Sequence, residues 1–110
     1  MYGHDSATIN TGGEKVFPEE VEEVLKLDDS VADAVVVGVP DEKFGQAVTA
    51  VVSLAHGATN DSASIIASVK SDLAGYKAPK SVIFVDQVPR APNGKADYRR
   101  AKEHAETALA

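Results

Sequence analysis

The chain has 110 residues, 44% of them hydrophobic, which indicates one domain with a sizeable core, and no apolar run approaches the roughly 20 residues that span a bilayer. The absence of cysteine excludes disulfides and thiolate chemistry and is typical of a reducing compartment, so we expect a cytoplasmic location. The net charge of -6 argues against nucleic-acid binding, although residues 76–110 carry seven basic and four acidic side chains and could meet a small polyanion.

The first part of the chain predicts a ribbon followed by a helix. Residues 1–15 are polar and carry a short alternation that ends at Gly12-Gly13, which predicts an edge ribbon or loop that adds nothing to the core. A helix is predicted near 18–27, because it begins with a proline and has an apolar face. The glutamates at 19–23 are explained by the helix dipole and by solvent. The apolar face consists of Val21, Val24 and Leu25.

Two runs of β-branched residues predict an antiparallel pair of strands. The first covers 34–39 and closes at Pro40, and the second covers 47–54 and alternates between two faces. A helix is predicted over 62–74, with Gly75 as its C-terminal stop. One face of the second strand is formed by Val48, Ala50, Val52 and Leu54.

The last third of the chain predicts a third strand over 81–86 and a polar terminal helix over 97–108. The element order is then ribbon, helix, strand, strand, helix, strand, helix. This order indicates an α+β fold, with two or three layers around a small sheet of about three strands.

A pointed turn displays a lysine before the terminal helix. The stretch VPRAPNGKADY places Lys95 directly after the turn-forming pair Asn93-Gly94. A phosphate-binding P-loop is excluded, because that motif needs glycine where the chain has Pro89, and Ser or Thr directly after the lysine. Arg90, which precedes the turn, is expected to help hold it.

Three segments in matching order resemble the C-terminal domain of the AMP-forming acyl-CoA synthetases, within the adenylate-forming superfamily. The segments are GHDSATINTGGEKVFPEEVE (3–22), YKAPKSVIFVDQVPR (76–90) and PNGKADYRRAK (92–102). The first and third look most like those of fatty-acyl or steroid side-chain CoA ligases. The resemblance implies a lid domain over residues 16–110, a hinge and Gly-Gly loop ribbon over 1–15, and a large N-terminal ATP- and acyl-binding domain that is not part of this chain.

The resemblance also implies residue roles. The family's full enzyme joins a carboxylate to ATP, releases pyrophosphate, and then transfers the acyl group from AMP to CoA. Lys95 matches the lysine that contacts the carboxylate and the α-phosphate, where a cation opposes the charge that gathers on the phosphorus oxygens. Gly12, Gly13 and Glu14 match the loop that lines the pantetheine tunnel after the domain has rotated. Ser6 falls at the hinge position, where Asp or Lys is more usual.

Cofactors and partners follow from the same resemblance. ATP and CoA are the expected substrates, Mg²⁺ enters with ATP at the large domain, and that domain and the acyl-adenylate are the expected partners. Lys77 and Lys80 are candidates for contacts with the CoA nucleotide phosphates, with a solvated surface as the alternative. His4 stands where the family typically has arginine. We expect no protein metal site, because His56 and His104 have no partners at ligand spacing.

Two other interpretations stay open. A standalone α+β module that binds a small ligand or regulates a partner would have the same order of elements. The lid could also belong to a fatty-acyl-AMP ligase or to a peptide-synthetase adenylation domain. In the favoured interpretation the isolated chain is inactive, because it carries no ATP loop.

Overall fold

The computed structural model of the chain describes residues 8–43, 45–73 and 75–109. The predicted hinge residue Ser6 and the unusual His4 lie outside these ranges. The strands are β1 (Ile9–Thr11), β2 (Glu14–Val16), β3 (Val31–Asp41), β4 (Gly45–Leu54) and β5 (Ser81–Phe84), and the helices are α1 (Pro18–Leu25), α2 (Ser62–Asp72) and α3 (Tyr98–Leu109). Each predicted helix and strand is therefore confirmed to within a few residues.

The five strands form one sheet with β4 at its centre. Strand β3 pairs with one side of β4 along almost its whole length, and this pairing is antiparallel as predicted. On the other side of β4, β5 pairs in parallel and β1 makes one antiparallel bridge, from Thr11 to Gly45. Strand β2 completes the sheet beyond β1, so β2 and β3 stand at opposite edges.

Helices cover both faces of the sheet, which gives three layers. The predicted alternation of β4 is confirmed: Val48, Ala50 and Val52 face the core that α1 and α2 cover, while Val51 faces α3. The terminal helix was expected to be polar. Two alanines one turn apart, Ala101 and Ala105, are both fully buried against the sheet, and the partly buried Tyr98 packs against the same cluster.

The expectation that the ribbon adds nothing to the core is wrong. Ile9 on β1 lies within the predicted ribbon and is 1% exposed in the core beneath α1 and α2. Its cross-strand partner Val16 on β2, just after residue 15, is 0% exposed in the same core. Most polar residues from Asn10 to Lys15 are exposed on the outer face or in the turn, although Thr11 is only 4% exposed, so the sequence conceals the inward positions. The division of the chain after residue 15 stays a prediction, and β2 runs across that point.

Glu22 also departs from the sequence interpretation, because it is buried instead of solvated. Its carboxylate accepts hydrogen bonds from the Val36 N–H at 2.9 Å and from the Tyr98 hydroxyl at 3.2 Å. Val36 lies on β3 at the edge of the sheet, so no neighbouring strand accepts a hydrogen bond from its backbone N–H. The Glu22 carboxylate accepts that hydrogen bond instead. Burial raises the pKa of Glu22, and the two hydrogen bonds oppose this rise without cancelling it.

Glu22→Gln is expected to change how the stability of the chain depends on pH. A raised pKa means that the folded state holds the proton more tightly than the unfolded state. The stabilisation is thus fully present below the ordinary pKa of 4.5 and is lost as the pH rises through the folded value. Urea unfolding of both proteins at several pH values measures this. The free energy of unfolding of the wild type, minus that of the variant, should fall as the pH rises above 4.5, and a constant difference would contradict it.

Candidate functional site

Lys95 lies at the tip of a hairpin between β5 and α3, and its side chain is exposed. An antiparallel bridge between Arg90 and Ala96 closes the base of the hairpin. Within it, the Ala91 N–H donates to the Lys95 carbonyl oxygen at 2.8 Å, and the Gly94 N–H donates to the Ala91 carbonyl oxygen at 2.8 Å. The predicted turn before Lys95 is therefore confirmed.

The sequence of the turn explains its shape. Proline at position 92 presets the backbone for a turn, and Gly94 has a φ of 86°, which side-chain-bearing residues rarely adopt. Asn93 accepts a hydrogen bond from the Lys95 N–H through its side-chain oxygen, at 3.1 Å. These local interactions fix the shape of the loop and leave Lys95 exposed.

Arg90 links this hairpin to the edge strand β3. Its Nε donates to Asp33 Oδ2 at 2.7 Å, its Nη2 donates to Asp33 Oδ1 at 2.5 Å, and its Nη1 donates to the Gly94 carbonyl oxygen at 3.1 Å. The sequence-based expectation that Arg90 helps to hold the turn is confirmed. Asp33 was missed, although a charged residue beside a buried β-branched strand is a signal that could have identified it.

Asp33 stays ionised in this arrangement. Partial burial alone would raise the pKa of its carboxyl group, but hydrogen bonds from Arg90 and from the Ala34 N–H, with the nearby charge of Lys26, outweigh burial and lower the pKa. The same pairing raises the pKa of Arg90. Both partners are therefore charged throughout the neutral range, and each oxygen of the carboxylate faces a donor.

The glycine pair forms the turn between β1 and β2. Gly12 and Gly13 have φ values of 59° and 86°, and the residues that flank them, Thr11 and Glu14, are cross-strand partners. A two-residue hairpin with two positive φ values needs glycine or asparagine at these positions. Glu14 and both glycines are exposed, and a Cβ atom added to Gly13 would meet nothing within 4 Å. The loop thus presents bare backbone to its surroundings.

The two candidate elements lie at opposite edges of the sheet. The glycine turn joins β1 to β2 at one end of the strand order, whereas Arg90 ties the Lys95 hairpin to β3 at the other end. The structure therefore does not bring Lys95 and the Gly12-Gly13 turn together into one pocket. Instead, the domain presents them separately.

The two candidate phosphate-binding lysines lie at the start of the segment that leads to β5. The Lys77 ammonium is 2.6 Å from Glu20 Oε1, which ties this segment to α1. Lys80 is exposed, and its backbone N–H donates to the Val48 carbonyl oxygen at 2.8 Å. Contact of either side chain with CoA phosphates stays a prediction.

Residues 8–43, 45–73 and 75–109 carry neither a candidate metal cluster nor a candidate membrane span. Within these ranges, no three His, Asp or Glu side chains are grouped so that they could hold a metal ion. No helix there combines the length and the apolar character that crossing a membrane requires.

Comparison with known proteins gives a family match and several relatives. The model of the family described as "AMP-binding enzyme C-terminal domain" matches residues 20–95. The chain is 54% identical over 106 residues to a medium/long-chain-fatty-acid–CoA/3-oxocholest-4-en-26-oate–CoA ligase of Mycobacterium tuberculosis (strain CDC 1551), covering 96% of this chain and 19% of that protein. It is 52% identical to a 3-oxocholest-4-en-26-oate–CoA ligase of Rhodococcus rhodochrous, covering 94% of this chain and 19% of that protein.

Solved structures with the same fold agree with these relatives. Apo MatB from Rhodopseudomonas palustris superposes with a TM-score of 0.89 at 37% identity, over 96% of this chain and 21% of that one. A Mycobacterium tuberculosis fatty acyl CoA synthetase gives a TM-score of 0.86 at 34% identity, over 94% of this chain and 20% of that one. The chain spans about a fifth of the length of the proteins that it matches.

Proposed function

This chain belongs to the family of AMP-binding enzyme C-terminal domains, and we propose that it serves as the lid of an AMP-forming ligase that activates fatty acids or steroid side chains with CoA. The names of the relatives with 54% and 52% identity support this substrate class. The observation that carries the proposal is Lys95, an exposed lysine on a hairpin that is braced against the sheet. The complete ligase is then this chain joined to a large adenylate-forming domain.

Lys95 serves the first half-reaction. A carboxylate oxygen of the acid attacks the α-phosphorus of ATP, the bond to the β-phosphate breaks, and pyrophosphate leaves. Negative charge accumulates on the phosphorus oxygens in the transition state, and the Lys95 ammonium stabilises it as a point charge. In the described part of the chain, no hydrogen bond or ion pair engages this ammonium, so its charge is available to a substrate.

The Gly12-Gly13 turn serves the second half-reaction. The CoA thiol attacks the acyl carbonyl carbon, AMP leaves, and a thioester forms. This step needs a passage for the long pantetheine arm, and a turn without side chains lets backbone approach that arm closely. The turn and Lys95 lie at opposite edges of the sheet. Rotation of the domain about the Ser6 hinge would therefore move Lys95 away from the reacting groups and bring the Gly12-Gly13 turn towards them.

The proposal also assigns substrates, partners and a location. ATP and CoA bind the complete ligase, Mg²⁺ arrives with ATP at the large domain, and the acyl-adenylate passes between the two steps. Lys77 and Lys80 contact the CoA nucleotide phosphates, with Lys77 leaving Glu20 to do so. The large domain is the main partner of this chain, and the ligase acts in the cytoplasm.

Reconstitution tests the proposal. The chain is fused after the large domain of the Mycobacterium tuberculosis relative, in place of that protein's own C-terminal domain. We expect the fusion to form acyl-CoA from a medium-chain or long-chain fatty acid, ATP and CoA, while the large domain alone does not. The isolated chain should release no pyrophosphate from ATP and a fatty acid. Pyrophosphate release by the isolated chain, or ligand binding that needs no second domain, would contradict the lid assignment.

A further inference from the structure

The Lys95 hairpin needs something to fix its direction as well as its shape. Its internal hydrogen bonds join residues within the loop, so they hold the turn together but not against the sheet. The residues at the tip, Pro92 to Lys95, are all exposed and gain no packing against the core. Lysine itself has a flexible four-carbon stem, so the position of its ammonium depends on how firmly the backbone beneath it is held.

The Arg90 guanidinium supplies this link. It contacts Asp33 on β3 through two nitrogens and the Gly94 carbonyl oxygen through the third. Gly94 immediately precedes Lys95. The rigid, planar guanidinium of Arg90 therefore connects the edge strand β3 to the backbone directly before Lys95. A charge-assisted, bidentate Arg–carboxylate pair fixes orientation better than a single hydrogen bond does.

Asp33 is itself well fixed. It lies next to an irregularity in the β3–β4 register, between Val31 and Asp33. Its Oδ1 atom also accepts from the Ala34 N–H at 2.9 Å. The Lys26 ammonium is 3.4 Å from the same oxygen, but its side chain is 42% exposed and such an exposed ion pair adds little to the positioning. The Asp33 side chain is only 25% exposed and that of Arg90 33% exposed, so the pair is partly shielded from solvent.

We propose that Asp33 and Arg90 are positioning residues for the adenylation step, holding the Lys95 ammonium where the carboxylate meets the α-phosphate. The inference rests on the proposed function of Lys95. Neither residue touches substrate, and both act through the backbone of the hairpin. A displacement of about 1 Å in a reacting group can cost roughly 10²-fold in rate, so loss of the link slows adenylation by about 10- to 100-fold. Thioester formation does not use Lys95 and keeps its rate.

The experiment uses the complete ligase with Arg90→Met and Asp33→Asn. Lys26→Met is the matched control, because Lys26 also contacts Asp33 but has no bond to the hairpin. Pyrophosphate release gives kcat and KM for adenylation, and preformed acyl-adenylate gives the rate of the thioester step. In both test variants kcat for adenylation should fall, while KM for ATP and the thioester rate change by less than about threefold. Arg90→Lys, which keeps the charge but not the three-way contact, should be intermediate, and Lys26→Met should match the wild type.

A second background separates positioning from a purely structural role. In a Lys95→Ala enzyme, adding Arg90→Met should cause no further slowing, because the two residues act through the same ammonium. Further slowing in that background, or equal loss of both half-reactions, overturns the inference. If Lys95→Ala slows adenylation and Arg90→Met does not, this inference alone fails. If Lys95→Ala leaves adenylation intact, the proposed function fails, and the inference fails with it.

Discussion

Lys95→Ala in the complete ligase is expected to slow acyl-adenylate formation by about 10²- to 10³-fold, which corresponds to roughly 3–4 kcal/mol of lost transition-state stabilisation. The variant should form thioester from preformed acyl-adenylate at the normal rate, because Lys95 and the Gly12-Gly13 turn lie at opposite edges of the sheet. The two steps are measured separately, by pyrophosphate release and by acyl-CoA formation from acyl-adenylate. A misfolded domain would lose both half-reactions, so loss of adenylation alone identifies a specific role of Lys95.

Lys70→Ala is the matched control for this substitution. Lys70 is an exposed lysine in the last turn of α2, so Lys70→Ala removes the same charge from a surface with no proposed role. We expect the control to leave both half-reactions unchanged. A Lys95→Ala enzyme that adenylates at the wild-type rate would show Lys95 to be an ordinary surface charge, and the proposed first step would have to be abandoned.

The parts of the fold that could be predicted from the sequence depend on local signals. β-branched runs near 34–39 and 47–54 form strands because such side chains suit a pleated, half-buried surface. The alternation in the second run also predicted which residues face α1 and α2. The hairpin at Asn93-Gly94 could also be predicted from the sequence, because its shape follows from the backbone preferences of four consecutive residues. The same short-range chemistry placed Lys95 on the turn, whereas the roles of Lys95 and of the Gly12-Gly13 turn came from the resemblance to a known family.

The parts that could not be predicted depend on contacts between distant segments. Asp33 and Arg90 are 57 residues apart, and no periodicity connects them. Glu22 resembles any other solvated glutamate until Tyr98, 76 residues further on, reaches its carboxylate. Ile9 is buried because β1 and β2 join the large sheet, and the short alternation in this stretch could not show that helices cover one side of a three-residue strand. In each case, the local sequence favours one environment for the side chain, and tertiary packing places it in a different one.

Gly13→Leu in the complete ligase should have the opposite effect to Lys95→Ala. A branched side chain on this exposed turn would stand in the path proposed for the pantetheine arm, so thioester formation should fall by about 10²-fold or more, as for other misaligned reactants. Adenylation should stay close to the wild-type rate, since Lys95 and its link to β3 are untouched. The same pair of half-reaction assays measures both rates, and the two variants together should give a crossed pattern.

Backbone strain at Gly13 has to be separated from obstruction, and Gly57→Leu makes this possible. Gly57 lies in the loop between β4 and α2 with a φ of 78°, close to the 86° of Gly13, and a Cβ atom at either position meets nothing within 4 Å. Leucine at either position should therefore cost a similar amount of stability, about 1–2 kcal/mol. Urea unfolding of the two variants checks that they match. If Gly57→Leu keeps both half-reactions while Gly13→Leu loses only the thioester step, the loss comes from obstruction of the CoA path. If both variants lose that step equally, strain alone explains it, and the Gly12-Gly13 turn has no role in admitting CoA.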